Sequence, residues 1–233
     1  MIPLRDDNPS STVPYLTRAL VGACVLAFLW QLSLGPHGGE RIVYALGVIP
    51  SVLFGSRALP DELALVPPYL TMFTSMFLHG GWMHLIGNML YLWIFGDNVE
   101  DSMGHGRYIV FYLLCGVAAV LAQALPNPDS TIPMIGASGA ISGVLGAYLL
   151  LHPHARVLVV IPIGFILQTL RLPAGVVLAL WFGLQLLSNV LAQGEGGVAF
   201  RAHIGGFIAG MLLIPLMKRR DVRLLQPPRH TAP

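Results

Sequence analysis

The chain has 233 residues, 55% of them hydrophobic and only 10% charged, with a formal net charge of +2 and a mean hydropathy of +0.71. A water-soluble domain carries roughly 25% charged residues, so this composition excludes an ordinary cytosolic globule and a disordered chain. Thirteen Lys and Arg against eleven Asp and Glu make too weak a field to attract a polyanion, which argues against nucleic acid as a partner and leaves the lipid bilayer as the solvent.

A spanning helix needs ~20 mostly apolar residues, and the chain can be read in order against that length. Residues 1–16 are polar, hold Asp6 and Asp7, and no small-residue cleavage site follows the next apolar run. They read as a cytoplasmic tail before a retained first helix, not a removed signal peptide. Ala19 to Leu34 supplies a first span, short unless its flanks join it. Gly35 to Met83 is nearly fifty residues, with Pro50, Pro60, Pro67 and Pro68. It is too apolar for a loose linker and reads as a structured loop at the membrane interface. His84 to Val99 with its flanks is the second span, Tyr108 to Leu125 the third, and Ser138 to Leu151 a short fourth. Val157 to Leu167 is apolar but interrupted by Pro162 and Gly164, which predicts a re-entrant or interfacial hairpin. Leu172 to Ala192 and Ala202 to Met217 are the fifth and sixth spans, and 218–233 is a basic cytoplasmic tail. Cys24 and Cys115 lie in apolar runs without metal-type spacing, so they read as small hydrophobes.

Six spans place both termini on one side. On that side lie Arg5, Arg18, Arg107, Arg156, Arg171, Lys218, Arg219, Arg220, Arg223 and Arg229, against Arg41, Arg57 and Arg201 on the other. The excess of positive loops marks the cytoplasm, so both ends face it. A seventh span through Val157 to Leu167 would destroy the bias. The predicted class is an all-α membrane protein, a six-helix bundle with a short central fourth helix in residues 17–217.

Polar groups inside spans are costly and default to functional hypotheses. Ser138 enters the fourth helix within Gly136-Ala137-Ser138-Gly139, followed by Ser142 and Gly143. A helix N-terminus offers free N–H groups to developing negative charge, and so short a helix would begin below the membrane surface. Gly139 and Gly143 equally form a small-xxx-small packing face. Taken alone, packing is the stronger reading, and both can hold at once. Ser142, one turn deeper, suits a bond to the preceding turn. His203 begins the sixth helix, followed by Gly206 and Gly210. If the two glycine faces dock, His203 comes beside Ser138 and can accept its proton. His84 and Asn88 share a face of the second helix at i, i+4 spacing, and their N–H groups, with the Ser138 amide, suit an oxyanion.

Rival chemistries fare worse. There is no His-Glu-x-x-His, and Asn is a poor zinc ligand, so neither metal nor cofactor is implied. No second aspartate matches Asp97, and the run from Asp97 to Asp101 reads as a helix-end hydrogen-bonding structure. A transporter would want acidic residues in mid-span, and none of the eleven lies clearly in one. His79, His105, His152, His154, His37 and His230 read as loop, interface or flanking residues.

These motifs, in the order His84-x-x-x-Asn88, Gly136-Ala137-Ser138-Gly139, Ala202-His203 with Gly206 and Gly210, resemble the rhomboid family of intramembrane serine proteases over roughly Thr17 to Met217. The resemblance implies Ser138 as nucleophile, His203 as general base and acid, and His84, Asn88 and the Ser138 amide as oxyanion hole. It implies transmembrane proteins as substrates and no catalytic aspartate. The fifth helix and the loop from Gln193 to Arg201 resemble the family's gate and cap. Two positions depart from the pattern. Leu70 and Thr71 stand where many members carry Trp-Arg, and Ser142 stands where some carry an aromatic residue against the histidine. A non-catalytic relative binding membrane clients is the main rival, although such relatives usually lack the Ser or the His. The absence of an organelle-type extension predicts a bacterial or archaeal plasma membrane.

Overall fold

The computed structural model describes residues 1–163, 166–191 and 199–227. It is mostly helical. The long helices are α1 (Tyr15–Ser33), α5 (Trp82–Met103), α6 (His105–Ala124), α7 (Ser138–Leu151), α8 (Ala174–Leu191) and α9 (Phe200–Met217). Shorter helices α2 (Gly35–Leu46), α3 (Pro50–Leu53) and α4 (Thr71–Thr74) lie between α1 and α5, with single 3₁₀ turns at Pro68–Leu70 and Ser75–Phe77. Among the described residues, α1, α6, α8 and α9 are each long and apolar enough to cross a membrane. The protein is an integral membrane protein.

Two boundaries follow from single residues. The first apolar run gains its N-terminal flank and becomes the 19-residue α1. The helix ends before Gly35, whose φ of +70° suits a residue without a Cβ, and Pro36 stands in the first turn of α2. The long first loop is therefore folded. Its apolar residues Ala45, Val48, Ile49, Met76 and Leu78 are buried, and Val48 bridges to Met134 in the segment before α7.

The chain is not helical throughout. β1 (Ile2–Asp6), β2 (Arg156–Ile163) and β3 (Ile166–Pro173) form one antiparallel sheet in the order β1-β2-β3. The apolar segment after α7 is thus a hairpin of strands. Its β-branched run Val157, Val159, Val160, Ile161 favours a pleated surface, and Val157 and Val159 are fully buried. Leu172 and Pro173 pair with Val157 and Arg156, so the next helix begins at Ala174, not Leu172. Nor is the N-terminal tail loose, because Ile2 to Asp6 pair with Val160 to Val157.

α7 is the central element, with almost every residue from Ala140 to Leu151 buried. It packs on α5, α6 and α9, while α8 touches the bundle through α9, α7 and the sheet. With lipid outside and side chains inside equally apolar, close van der Waals packing holds such helices together, and small residues supply it here. A methyl on Gly206 would strike the Gly139 carbonyl, and one on Gly210 the Gly143 carbonyl. On the other flank of α7, a methyl on Gly139 would lie 2.5 Å from Ala119 Cβ, and one on Gly143 would strike Cys115 of α6. Cys115 therefore serves as a small packing residue, and both cysteines are free and buried.

One end of the bundle is stapled by polar groups. Glu100, fully buried, accepts from the backbone N–H groups of Leu16 (2.9 Å) and Thr17 (2.8 Å) and from the Thr17 hydroxyl, filling the open donors at the start of α1. Asp101 accepts from the Ser11 amide and the hydroxyls of Ser11 and Thr12, and Asn8 and Asn98 bond each other. Arg219 reaches back to the Ser102 carbonyl through its amide. The acidic run at the end of α5 is therefore a helix-capping structure.

Candidate active site

α7, α9 and α5 each contribute side chains to the end of the bundle opposite those staples. Ser138 is the first residue of α7. Its hydroxyl lies 2.9 Å from Nε2 of His203, in the first turn of α9, whose start is held by the Gln123 side-chain oxygen accepting from the Ala202 amide at 3.3 Å. The crossing explains the contact. Because Gly206 and Gly210 let α9 approach the α7 backbone at Gly139 and Gly143, the residue one turn before Gly206 meets the residue just before Gly139.

The loop leading into α7 is shaped by Gly136, with φ of +119°, a region L side chains rarely adopt. A Cβ there would lie 2.7 Å from His84 Nε2 and 3.8 Å from the Ser138 hydroxyl. The imidazole of His84 thus sits against the backbone two residues before Ser138. Upstream, Gln31 of α1 clamps the backbone of His79, accepting from its amide at 3.1 Å and donating to its carbonyl at 3.4 Å. The adjacent Gly80 amide then donates to His84 Nδ1 at 3.3 Å. His79 lies in the loop, where burial lowers its pKa to about 4, and its ring packs edge-on against His84 at 5.2 Å. Asn88 donates to the His84 carbonyl at 2.9 Å, and an amide nitrogen carries a second hydrogen that can donate.

Ser138, His203, His84 and Asn88 all line one cavity of about 820 Å³. Polar residues Gln123, Asn127, Ser130, Gln185, Asn189 and Arg201 line it too, as do Trp181, Met83 and Tyr91. Ser142 also faces it, but its hydroxyl donates to the Ser138 carbonyl at 2.6 Å, satisfied within its own helix. The residues 192–198, which include most of the resembled cap loop, lie outside the described residues. Of the residues at the Trp-Arg positions, Leu70 ends the 3₁₀ turn and Thr71 opens α4, where the Thr71 hydroxyl donates to the Pro68 carbonyl at 2.5 Å. Among the described residues no group of three His, Cys, Asp or Glu is placed to hold a metal ion.

The other ring nitrogen of His203, Nδ1, lies 2.8 Å from the Gln185 side-chain oxygen, and the Trp181 ring lies 6.0 Å from the imidazole. Both come from α8. Where Ser142 supplies no aromatic surface, Trp181 does. Sequence reasoning passed over Gln185, although a signal was present: Trp181, Gln185 and Asn189 recur every fourth residue within an otherwise apolar span.

Fold and cavity together describe a polytopic helical membrane protein with a serine–imidazole contact at a recessed helix start. A family model for the Rhomboid domain matches residues 68–220, and the chain belongs to the rhomboid family. It is 29% identical over 188 residues to "Rhomboid protein 1, mitochondrial" of Saccharomyces cerevisiae, covering 74% of this chain and 52% of the relative. It is 30% identical over 203 residues to "Rhomboid protease GluP" of Bacillus subtilis, covering 87% of this chain and 34% of that protein. "Rhomboid-like protein 11, chloroplastic" of Arabidopsis thaliana matches at 27% over 163 residues, 66% of this chain and 54% of the relative. The chain thus spans between a third and about half the length of these relatives.

Proposed function

We propose that the protein is an intramembrane serine endopeptidase, using Ser138 and His203 to hydrolyse peptide bonds in or near transmembrane segments of other membrane proteins. The observation that carries this reading is the 2.9 Å contact between the Ser138 hydroxyl and His203 Nε2 on the 820 Å³ cavity. In this mechanism His203 Nε2 takes the hydroxyl proton as Ser138 Oγ attacks the scissile carbonyl. Negative charge develops on the carbonyl oxygen beside the Ser138 amide, the His84 ring and the Asn88 amide, which act as donors. Collapse of the intermediate expels the amine, which leaves with the proton from His203. Water then repeats the sequence on the acyl-enzyme and frees the carboxylate.

The depth of the site suits a membrane substrate. At ~1.5 Å per residue the 14 residues of α7 reach about 21 Å, against ~30 Å of hydrocarbon. With the far end of α7 at the opposite surface, Ser138 lies roughly 9 Å below its own. Gln123, Asn127, Ser130 and Asn189 on the cavity wall offer hydrogen bonds to the water that hydrolysis needs. α1, α5, α6, α7, α8 and α9 are the six spans of a membrane domain at 17–217, with 1–16 and 218–233 as cytoplasmic tails of a plasma-membrane protein. The clustering of Asn8, Asp101, Ser102 and Arg219 at one end supports an even number of crossings.

Purified protein and a single-span reporter substrate test the reading. Ser138→Ala and His203→Ala each abolish cleavage, and a fluorophosphonate labels wild type but not Ser138→Ala. Asn88→Ala slows cleavage by ~10²-fold, the cost of one lost oxyanion donor. Cleavage surviving Ser138→Ala sinks the assignment. Absence of both cleavage and labelling in folded wild type would favour a client-binding protein instead.

A further inference from the structure

The contact between Gln185 and His203 points to a role beyond packing. An imidazole serves as base at Nε2 only in the tautomer that carries its proton on Nδ1, and the partner of Nδ1 decides which tautomer is held. His203 Nδ1 lies 2.8 Å from Gln185 Oε1, an oxygen that can only accept. With the Gln185 amide assigned oxygen-first to the ring, the proton sits on Nδ1, and Nε2 presents its lone pair to the Ser138 hydroxyl at 2.9 Å. His84 is wired the opposite way. There the Gly80 amide donates to Nδ1, so Nε2 carries the hydrogen and can donate towards the cavity. Two imidazoles lining one cavity are thus set as acceptor and donor by their Nδ1 partners.

The structure assigns Gln185 as the positioning residue of the site: through Nδ1 it holds the His203 imidazole in the tautomer that accepts the Ser138 proton. The inference rests on the proposed serine-hydrolase reading. It also makes that site span three helices, because α7 carries the hydroxyl, α9 the imidazole and α8 the amide. α8 is the least embedded of the three, its buried residues being Ala174, Val177 and Leu178 near its start. The base is therefore set only while the Gln185 turn of α8 is seated against α9.

Gln185→Leu removes the acceptor at similar volume. Where a serine protease loses the correct tautomer altogether the rate falls by about 10⁴. A neutral amide holds the ring less firmly than a carboxylate, so the expected loss is ~10–100-fold, by analogy with removing a partner that orients a metal-bound imidazole. The loss falls on kcat with KM unchanged, and the rate of fluorophosphonate labelling falls in parallel. Gln185→Glu, which offers an acceptor oxygen at the same place, restores labelling to within a few-fold of wild type. Should the leucine variant fail to insert, Gln185→Asn withdraws the acceptor by one methylene, keeps the polarity and shows the same loss. Labelling of Gln185→Leu at the wild-type rate overturns the assignment. So does a rise in KM alone, which would make Gln185 a substrate contact, or an equal loss in the leucine and glutamate variants, which would make it structural. Wild type that is not labelled at Ser138 defeats the hydrolase reading itself and is told apart from these outcomes by the Ser138→Ala control.

Discussion

Gly136 meets two demands that no other residue type can meet together. Its φ of +119° strains any L side chain, and a Cβ would press on His84 at 2.7 Å from Nε2 and 2.8 Å from Cε1. Gly136→Ala therefore costs roughly 1–3 kcal/mol in backbone strain and moves His84 away from the Ser138 amide. Labelling and cleavage drop by at least ~10²-fold, while the melting midpoint falls by only several degrees. A variant that labels like wild type would show that the His84 position is not needed. At this scale much was legible in the sequence, because a polar side chain in an apolar window is conspicuous. Ser138, His203, His84 and Asn88 are conspicuous for that reason, and each has a glycine within three residues of it in the sequence. Gln185 is as polar and as deep in its span, but a Cβ on its neighbour Gly183 would meet nothing within 4 Å, so the contact shows only once α8 is seen against His203.

Between helices, the decisive contact is α7 against α9. Backbone carbonyls of Gly139 and Gly143 occupy the space where side chains on Gly206 and Gly210 would lie, so Gly206→Val must push the helices apart. That separates Ser138 from His203 as well as costing packing, typically 1–3 kcal/mol for an overfilled site. The expected result is a lowered melting midpoint with loss of labelling out of proportion to it. Gly22→Ala in α1, where nothing lies within 4 Å of the added methyl, leaves labelling unchanged and does not lower the midpoint, since alanine is the better helix former. Equal behaviour of the two variants would remove the glycine face from the account. The long helices could be read from apolar windows, and the shortness of α7 from counting to Leu151. The sheet could not. Val157 to Ile161 is a short continuous apolar run, and Pro162 and Gly164 after it signal a hairpin without saying that its arms are strands. Its partner β1 is a five-residue segment with no period-2 pattern of its own, about 150 residues away, and only tertiary packing brings the two together.

Across the whole molecule, the two ends of the bundle are built for opposite purposes. One end opens into the cavity that holds Ser138, His203, His84 and Asn88, and the other is closed by the N-terminal segment, the sheet and the end of α5. Asp6 joins all three: it ends β1, accepts a hydrogen bond from the Tyr148 hydroxyl on α7, and lies near Asp97 of α5. Burial raises its pKa from 3.8 to about 7, with repulsion from Asp97 and Asp7 adding and the Tyr148 bond opposing. Between pH ~4 and ~7 the folded state thus holds a proton that the unfolded chain has released, so stability falls as pH rises through this window. The contribution is largest below the unfolded value and is lost once the folded carboxyl ionises. Asp6→Asn keeps an oxygen for Tyr148 and removes the ionisation. At pH 8 its apparent melting temperature should exceed that of wild type by several degrees, at ~2–4 °C per kcal/mol for a chain of this size, and the gap should close by pH 4.5. Thermal unfolding of both proteins at the two pH values decides the matter, and a gap of equal size at each would mean that Asp6 ionisation does not govern how this end is closed. Cleavage by Ser138, at the far end of α7, should be the same in both proteins at pH 7, since neither Asp6 nor Tyr148 lines the cavity.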